Sequence, residues 1–279
     1  MFFKGKIVAA VFAQVAYTVL KIAGWKRKTV LANAKHVKIL PDYNILLKNL
    51  TRHASELLFC FGTFKRLPAD FSKYPCRVDG WNFALDEAAI PVLEKMRSGG
   101  IFLTAHYGNY EAMGPWLCRL GIPLVASYIP VKPKWLNNIL ARKIRAVDGR
   151  SYSVDARTPR DFLRILNDGK LFCLLADQDS RISSALPGTF LGCPANVNPL
   201  PDFLLKHCPQ TPIYICWIEE KNRVRELHAI EVASSAHSLQ VSVVNTQFNK
   251  WLEERIAENP NLWYGFTHRR FYSQSPTIY

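Results

Sequence analysis

The sequence predicts an α/β fold, a mixed sheet flanked by helices, preceded by an N-terminal membrane-anchoring helix. Three observations carry that prediction. Apolar residues make up 49% of the 279 residues and charged ones 21%, a globular composition that excludes a disordered or low-complexity chain. From Ile101 onward, short apolar runs alternate with amphipathic stretches in the rhythm of βαβ units. An apolar run bounded on both sides by lysines opens the chain. No repeat and no long linker divides the remainder, so the expected organisation is an anchor over 1–28 and an α/β domain over 29–279.

The anchor runs from Ile7 to Gly24, between Lys4 and Lys6 on one side and Lys26, Arg27 and Lys28 on the other. As a helix it reaches about 27 Å, just short of a hydrocarbon core of about 30 Å. Gln14, Thr18, Lys21 and Trp25 recur on one side, with Val8, Val11, Phe12, Val15, Val19 and Ile22 largely on the others. Length and pattern leave a spanning and an interfacial helix open. No small-x-small cleavage site follows before Lys26, which sets a signal peptide aside.

Helical periodicity continues over 28–64, interrupted at Pro41, and a loop around Pro68 and Pro75 leads to an expected helix over 84–96 that ends at Ser98-Gly99-Gly100. Strands are expected at 101–105, 123–129, 151–154, 171–176, 188–191, 212–219 and 224–233. Between and after them, helices are expected at 111–120, 133–147, 159–166, 199–207 and 239–257.

The net charge of +14 is concentrated: residues 1–75 hold 13 Lys and Arg against three acids, a surplus of +10. That asymmetry points to a polyanionic partner of the first quarter, namely an anionic membrane face, an acidic protein or nucleic acid. Nucleic acid is the weakest of these, because the charge flanks an apolar anchor and no nucleic-acid motif appears. The seven cysteines are scattered without a C-x-x-C pair, so neither a disulfide framework nor a zinc knuckle is indicated and the compartment reads as reducing.

Chemistry concentrates in the stretch 101–111. A buried strand delivers His106 to its carboxyl end, where open α/β sheets place their ligands. Gly108 permits a tight turn, and Glu111 follows in the first turn of a helix. A carboxylate there accepts the Nδ1 proton of His106 and leaves Nε2 as a general base. Such a pair takes a proton from an attacking nucleophile and requires no metal and no cofactor.

Four strings in order carry a resemblance: A-H-Y-G-N-Y-E at 105–111, Asp177-Gln178 after an apolar strand, F-L-G-C-P-A at 190–195, and W-Y-G-F-T-H-R-R-F at 263–271. Together they resemble the late lipid A acyltransferases, bacterial enzymes of lipopolysaccharide biosynthesis within the wider H-x4-D/E glycerolipid acyltransferases. The resemblance covers nearly the whole chain and implies a glycerolipid-acyltransferase-like sheet. It implies His106 as the catalytic histidine, Glu111 as its acidic partner, and Asn109, Asp177 and Gln178 beside the substrates. Arg142, Arg145 and Arg150 stand where family arginines meet lipid phosphate, and the sequence does not choose among them. His268, Arg269 and Arg270 match a terminal signature expected to close the domain. Tyr110 departs from the Trp of many members. The implied donor is acyl carrier protein, the acceptor a lipid A precursor, and the location the cytoplasmic face of the bacterial inner membrane. A related enzyme acting on a lysophospholipid, a phosphoinositide mannoside or an aminolipid is the alternative; Ala105 before His106 and Glu111 in the acid position favour the lipid A branch.

Overall fold

The periodicity of the first quarter becomes four helices in the computed structural model, which describes residues 2–128, 130, 132–155, 158–182, 184–233 and 243–279. These are α1 (Phe2–Ile22), α2 (Arg27–Val37), α3 (Tyr43–Phe59) and the single turn α4 (Phe61–Phe64). Pro41 separates α2 from α3, and Asp42 starts α3 by accepting hydrogen bonds from the amides of Asn44 (2.8 Å) and Ile45 (3.1 Å). Helix α1 lies along α3, edge-on through Phe12 and Phe59 at 5.2 Å.

A hairpin follows, β1 (Cys76–Val78) and β2 (Trp81–Leu85), then α5 (Ile90–Met96), β3 (Gly100–Thr104), α6 (Met113–Arg119) and β4 (Leu124–Ser127). Next come α7 (Lys134–Ile139) with a π turn at Leu140–Ile144, the short strands β5 (Ala146–Val147), β6 (Arg150–Ser151) and β7 (Ser153–Val154), α8 (Pro159–Asn167) and β8 (Leu171–Leu175). The chain continues through β9 (Leu186–Phe190), β10 (Cys193–Val197), α9 (Leu200–His207), β11 (Ile213–Lys221), β12 (Val224–Ala233) and α10 (Val243–Glu258).

Two expectations are corrected. The helix expected over 84–96 begins only at Ile90, because Ala84 and Leu85 belong to β2, whose Phe83 and Leu85 are buried. The carboxylate of Asp86 then bonds the Ala88 amide at 3.2 Å and turns the chain. The helix expected over 133–147 ends at Ile144, since Ala146 and Val147 pair with Arg150 and Ser151 across a turn in which Asp148 and Gly149 both have positive φ. Strands β1, β2, β5, β6 and β10 were not anticipated. Ile129 and residues 239–242, parts of an expected strand and helix, lie outside the described residues.

Among the described residues, eight strands form one sheet in the order β1-β2-β12-β11-β3-β8-β4-β7. The run β11-β3-β8-β4-β7 is parallel, and β11 pairs with β12 antiparallel, so the sheet is mixed. Alternate residues of the central strands feed two cores. Ile101, Leu103, Phe172 and Leu174 face one side, with residues of α2, α9 and α10; Phe102, Leu171 and Tyr214 face the other, with α5 and α6. Burial on both faces explains why these strands read as continuous apolar runs.

Arg225 of β12 ties the helical quarter to the sheet. Its side chain is 1% exposed, lies 3.5 Å from the Trp81 ring centroid, and donates to Glu56 of α3 at 2.8 Å and to Glu220 at 3.4 Å. A buried cation so placed matters chiefly because its removal strands the carboxylate it neutralises. Arg225→Leu is therefore expected to cost about 3–5 kcal/mol in denaturant unfolding, with part of the loss recovered when Glu56→Gln is added.

Candidate active site

Strand register brings the two chemical groups together. β3 and β8 are parallel neighbours with Thr104 opposite Leu175, so residues two positions beyond each, His106 and Asp177, emerge side by side at the carboxyl edge of the sheet. His106 Nδ1 lies 2.8 Å from Asp177 Oδ1, and the His106 amide donates to Oδ2 at 3.0 Å. The carboxylate facing the histidine is thus Asp177, seventy-one residues away in sequence, where Glu111 was expected.

Asp177 has no exposed side-chain surface. Burial opposes its charge, but His106, the Trp263 indole N–H at 2.9 Å and the His106 amide outweigh it and hold the carboxyl down at about 2. The reciprocal effect raises His106: burial pulls its pKa down, and the charge and hydrogen bond of Asp177 more than reverse this, with a further push from Glu111. With Nδ1 held by Asp177, His106 Nε2 turns outward, 3.5 Å from the Gln178 amide nitrogen.

Glu111 sits in a 3-10 turn, Tyr110–Ala112, reached through Gly108 at φ +56. Its two oxygens accept from Arg145, at the end of the π turn. The two-pronged pair ties the turn to that segment, and the guanidinium lines the space beside His106. That space is a cavity of about 360 Å³ with a wall from Phe102, Met113, Leu124, Ala126 and Leu175, and with His106, Glu111, Arg145 and Gln178 also lining it. Gly114 is required at its side, because a Cβ there would fall 2.5 Å from the Tyr152 hydroxyl. Cys173 also lines the cavity, but burial pushes its thiol up to about 12, so it offers no thiolate. An apolar cavity ending at a histidine–carboxylate pair suits a long apolar substrate presented to a general base.

A model of the bacterial lipid A biosynthesis acyltransferase family matches residues 76–273. The chain belongs to that family. Among curated proteins none matches it. The matched stretch of the acyltransferase holds His106, Glu111, Arg145, Asp177 and Trp263, whereas α1, α2 and α3 precede it.

The terminal signature of the acyltransferase closes the site through its backbone. Tyr107 and Trp263 form an antiparallel bridge, the Tyr264 amide bonds the His106 carbonyl at 2.8 Å, and the Gly108 amide bonds that of Leu262 at 2.9 Å. Arg270 is buried, donates to the Asn196 carbonyl at 2.9 Å and lies over the Phe190 ring. Arg269 is exposed, and His268 faces His106 with ring centroids 5.9 Å apart. Of the three arginines, Arg145 lines the cavity; Arg142 and Arg150 are exposed outside it.

Asn109, expected beside the substrates, is held on both sides of its amide. Its Nδ2 donates to Glu56 at 2.9 Å, and its Oδ1 faces His53 Nδ1 at 2.9 Å, which fixes His53 as the Nδ1–H donor. His53 stacks between Tyr110 and Tyr264, and burial lowers its pKa to about 4, so it stays neutral. Arg225, Glu56, Asn109 and His53 thus form a chain from the sheet to the turn that carries Glu111. Sequence reasoning missed His53, Glu56 and Trp263 in these roles; the signal for the first two was polar residues on the inner side of α3, and Trp263 opens the terminal string. His53→Leu is expected to lose about 1–3 kcal/mol in thermal unfolding by orphaning Asn109 Oδ1, whereas His53→Asn, whose amide replaces the Nδ1 donor, should lose less than half of that.

Proposed function

We propose that the acyltransferase moves a fatty acyl chain from acyl carrier protein to a hydroxyl of a lipid A precursor, with His106 as general base. The observation that supports this most is the His106–Asp177 pair on the wall of an apolar cavity, in a chain of this family. The acyl chain occupies the cavity. His106 Nε2 takes the hydroxyl proton as the oxygen attacks the thioester carbonyl. On collapse the carbon–sulfur bond breaks and His106 returns the proton to the departing thiolate. Asp177 fixes the ring and stabilises the imidazolium. Glu111 acts through Arg145, which faces the developing oxyanion.

Residues 1–28 serve in this reading as membrane anchor and 29–279 as acyltransferase domain, at the cytoplasmic face of the inner membrane. The basic first quarter draws anionic headgroups, about 1 kcal/mol for each Lys or Arg near the surface, and steers an acidic carrier protein toward the same face.

The direct test is mass spectrometry of lipid A from cells with and without the gene; loss of one acyl mass is expected, and unchanged lipid A with an altered phospholipid would move the acceptor elsewhere. With purified enzyme, His106→Ala should lower kcat by about 10²–10⁴ while the fold is kept, and Glu111→Gln should lower it less. Because only neutral His106 accepts a proton, activity should fall as pH drops through a value above the ordinary 6.5 of histidine. Asp177→Asn removes the negative charge that raises it, so the acid limb should move to lower pH while kcat falls; an unmoved limb would overturn the pairing.

A further inference from the structure

We infer that α1 binds an anionic bilayer lying flat in its interface and does not cross it. This inference rests on the anchoring role proposed above and concerns how that role is carried out. The first observation is where α1 is seated. It runs antiparallel to α3 and is held at both ends: a Cβ at Gly5 would lie 3.2 Å from the Phe59 carbonyl, and the Tyr43 hydroxyl donates to the Trp25 carbonyl at 2.8 Å. Lys6 reaches the Trp81 ring at 4.1 Å. A crossing helix so docked would carry α3 with it, and with α3 the Lys48 side chain and the Arg52–Glu220 ion pair into the hydrocarbon.

The second observation is how α1 divides its surface. At about 100° per residue, Gly5, Ala9, Ala13, Ala16 and Leu20 form the side against α3, and Ala9 is buried there. Val8, Val11, Phe12, Val15, Val19 and Ile22 fill an adjoining arc of about 100°, with exposures from 43% to 82%. Gln14, Thr18 and Lys21 occupy the opposite flank, joined there by the exposed Ile7. A crossing helix needs apolar surface all round wherever lipid touches it; one lying in the interface needs a single apolar sector, and α1 has one.

The third observation is charge. Lys21, Lys26, Arg27 and Lys28 cluster at the Trp25 end, where an anionic headgroup layer meets a helix lying flat. Leu40 and Ile45, 77% and 47% exposed beside Tyr43, extend the apolar surface at that same end.

The test uses the full chain with one epitope tag before residue 1 and another after residue 279, expressed in a Gram-negative host. Flat binding predicts that protease removes both tags in inverted inner-membrane vesicles and neither in spheroplasts. Loss of the first tag alone in spheroplasts would overturn the inference, and so would recovery of the chain in the soluble fraction. A second measurement uses purified chain and vesicles of phosphatidylglycerol and phosphatidylethanolamine. Val15→Lys should weaken binding at least about tenfold, and Thr18→Lys should not weaken it; equal losses from both would overturn the inference. Acyl transfer to detergent-dispersed acceptor, assayed on the same variants, separates failure here from failure of the proposed activity.

Discussion

Asp177 keeps a full negative charge where its side chain has no exposed surface, and much of the molecule is arranged around meeting that demand. An unpaired buried carboxylate would cost several kcal/mol or take up a proton. Three donors prevent this, and they come from distant parts of the chain: the ring and amide of His106 from the end of β3, and the indole of Trp263 from the terminal segment. The register of β3 on β8 and the bridge between Tyr107 and Trp263 are the backbone conditions for that convergence.

The second carboxylate works by a different logic. Glu111 is committed to Arg145, so acid and base are not neighbours competing for one proton. One carboxylate tunes the histidine from behind, and the other holds a cation across the cavity. Around them the His53–Asn109–Glu56–Arg225 chain leaves the Glu111 turn little freedom, because its four side chains are hydrogen-bonded in series from the sheet to that turn. Positioning of this kind costs no reorganisation when charge develops during reaction.

Much of this was legible in the sequence, for reasons that also mark its limit. The apolar runs of β3 and β8 announce a buried parallel sheet, and His106 and Asp177 both stand just past such runs. Their partnership is not legible, because nothing local states which strands lie side by side or in what register. Glu111, five positions from His106, was the available partner by sequence, and the 3-10 turn carries it to Arg145 instead. The β1–β2 hairpin had a readable sign in Asp79-Gly80, both of positive φ, the turn type that favours Asp-Gly. Only three residues of β1 precede it, too few to show an alternation. His53 and Glu56 were hidden for another reason: a buried polar residue on a helix looks like a surface one until its partners are known.

The bond between Trp263 and Asp177 has a consequence in the life of the chain during synthesis. The sheet, the cavity and His106 are all encoded before residue 243, yet the carboxylate behind the histidine is completed only by an indole made later. The last of the three donors to Asp177 is thus also the last to be synthesised, and a chain cut short before Trp263 keeps every strand of the sheet while leaving that carboxylate without its indole bond.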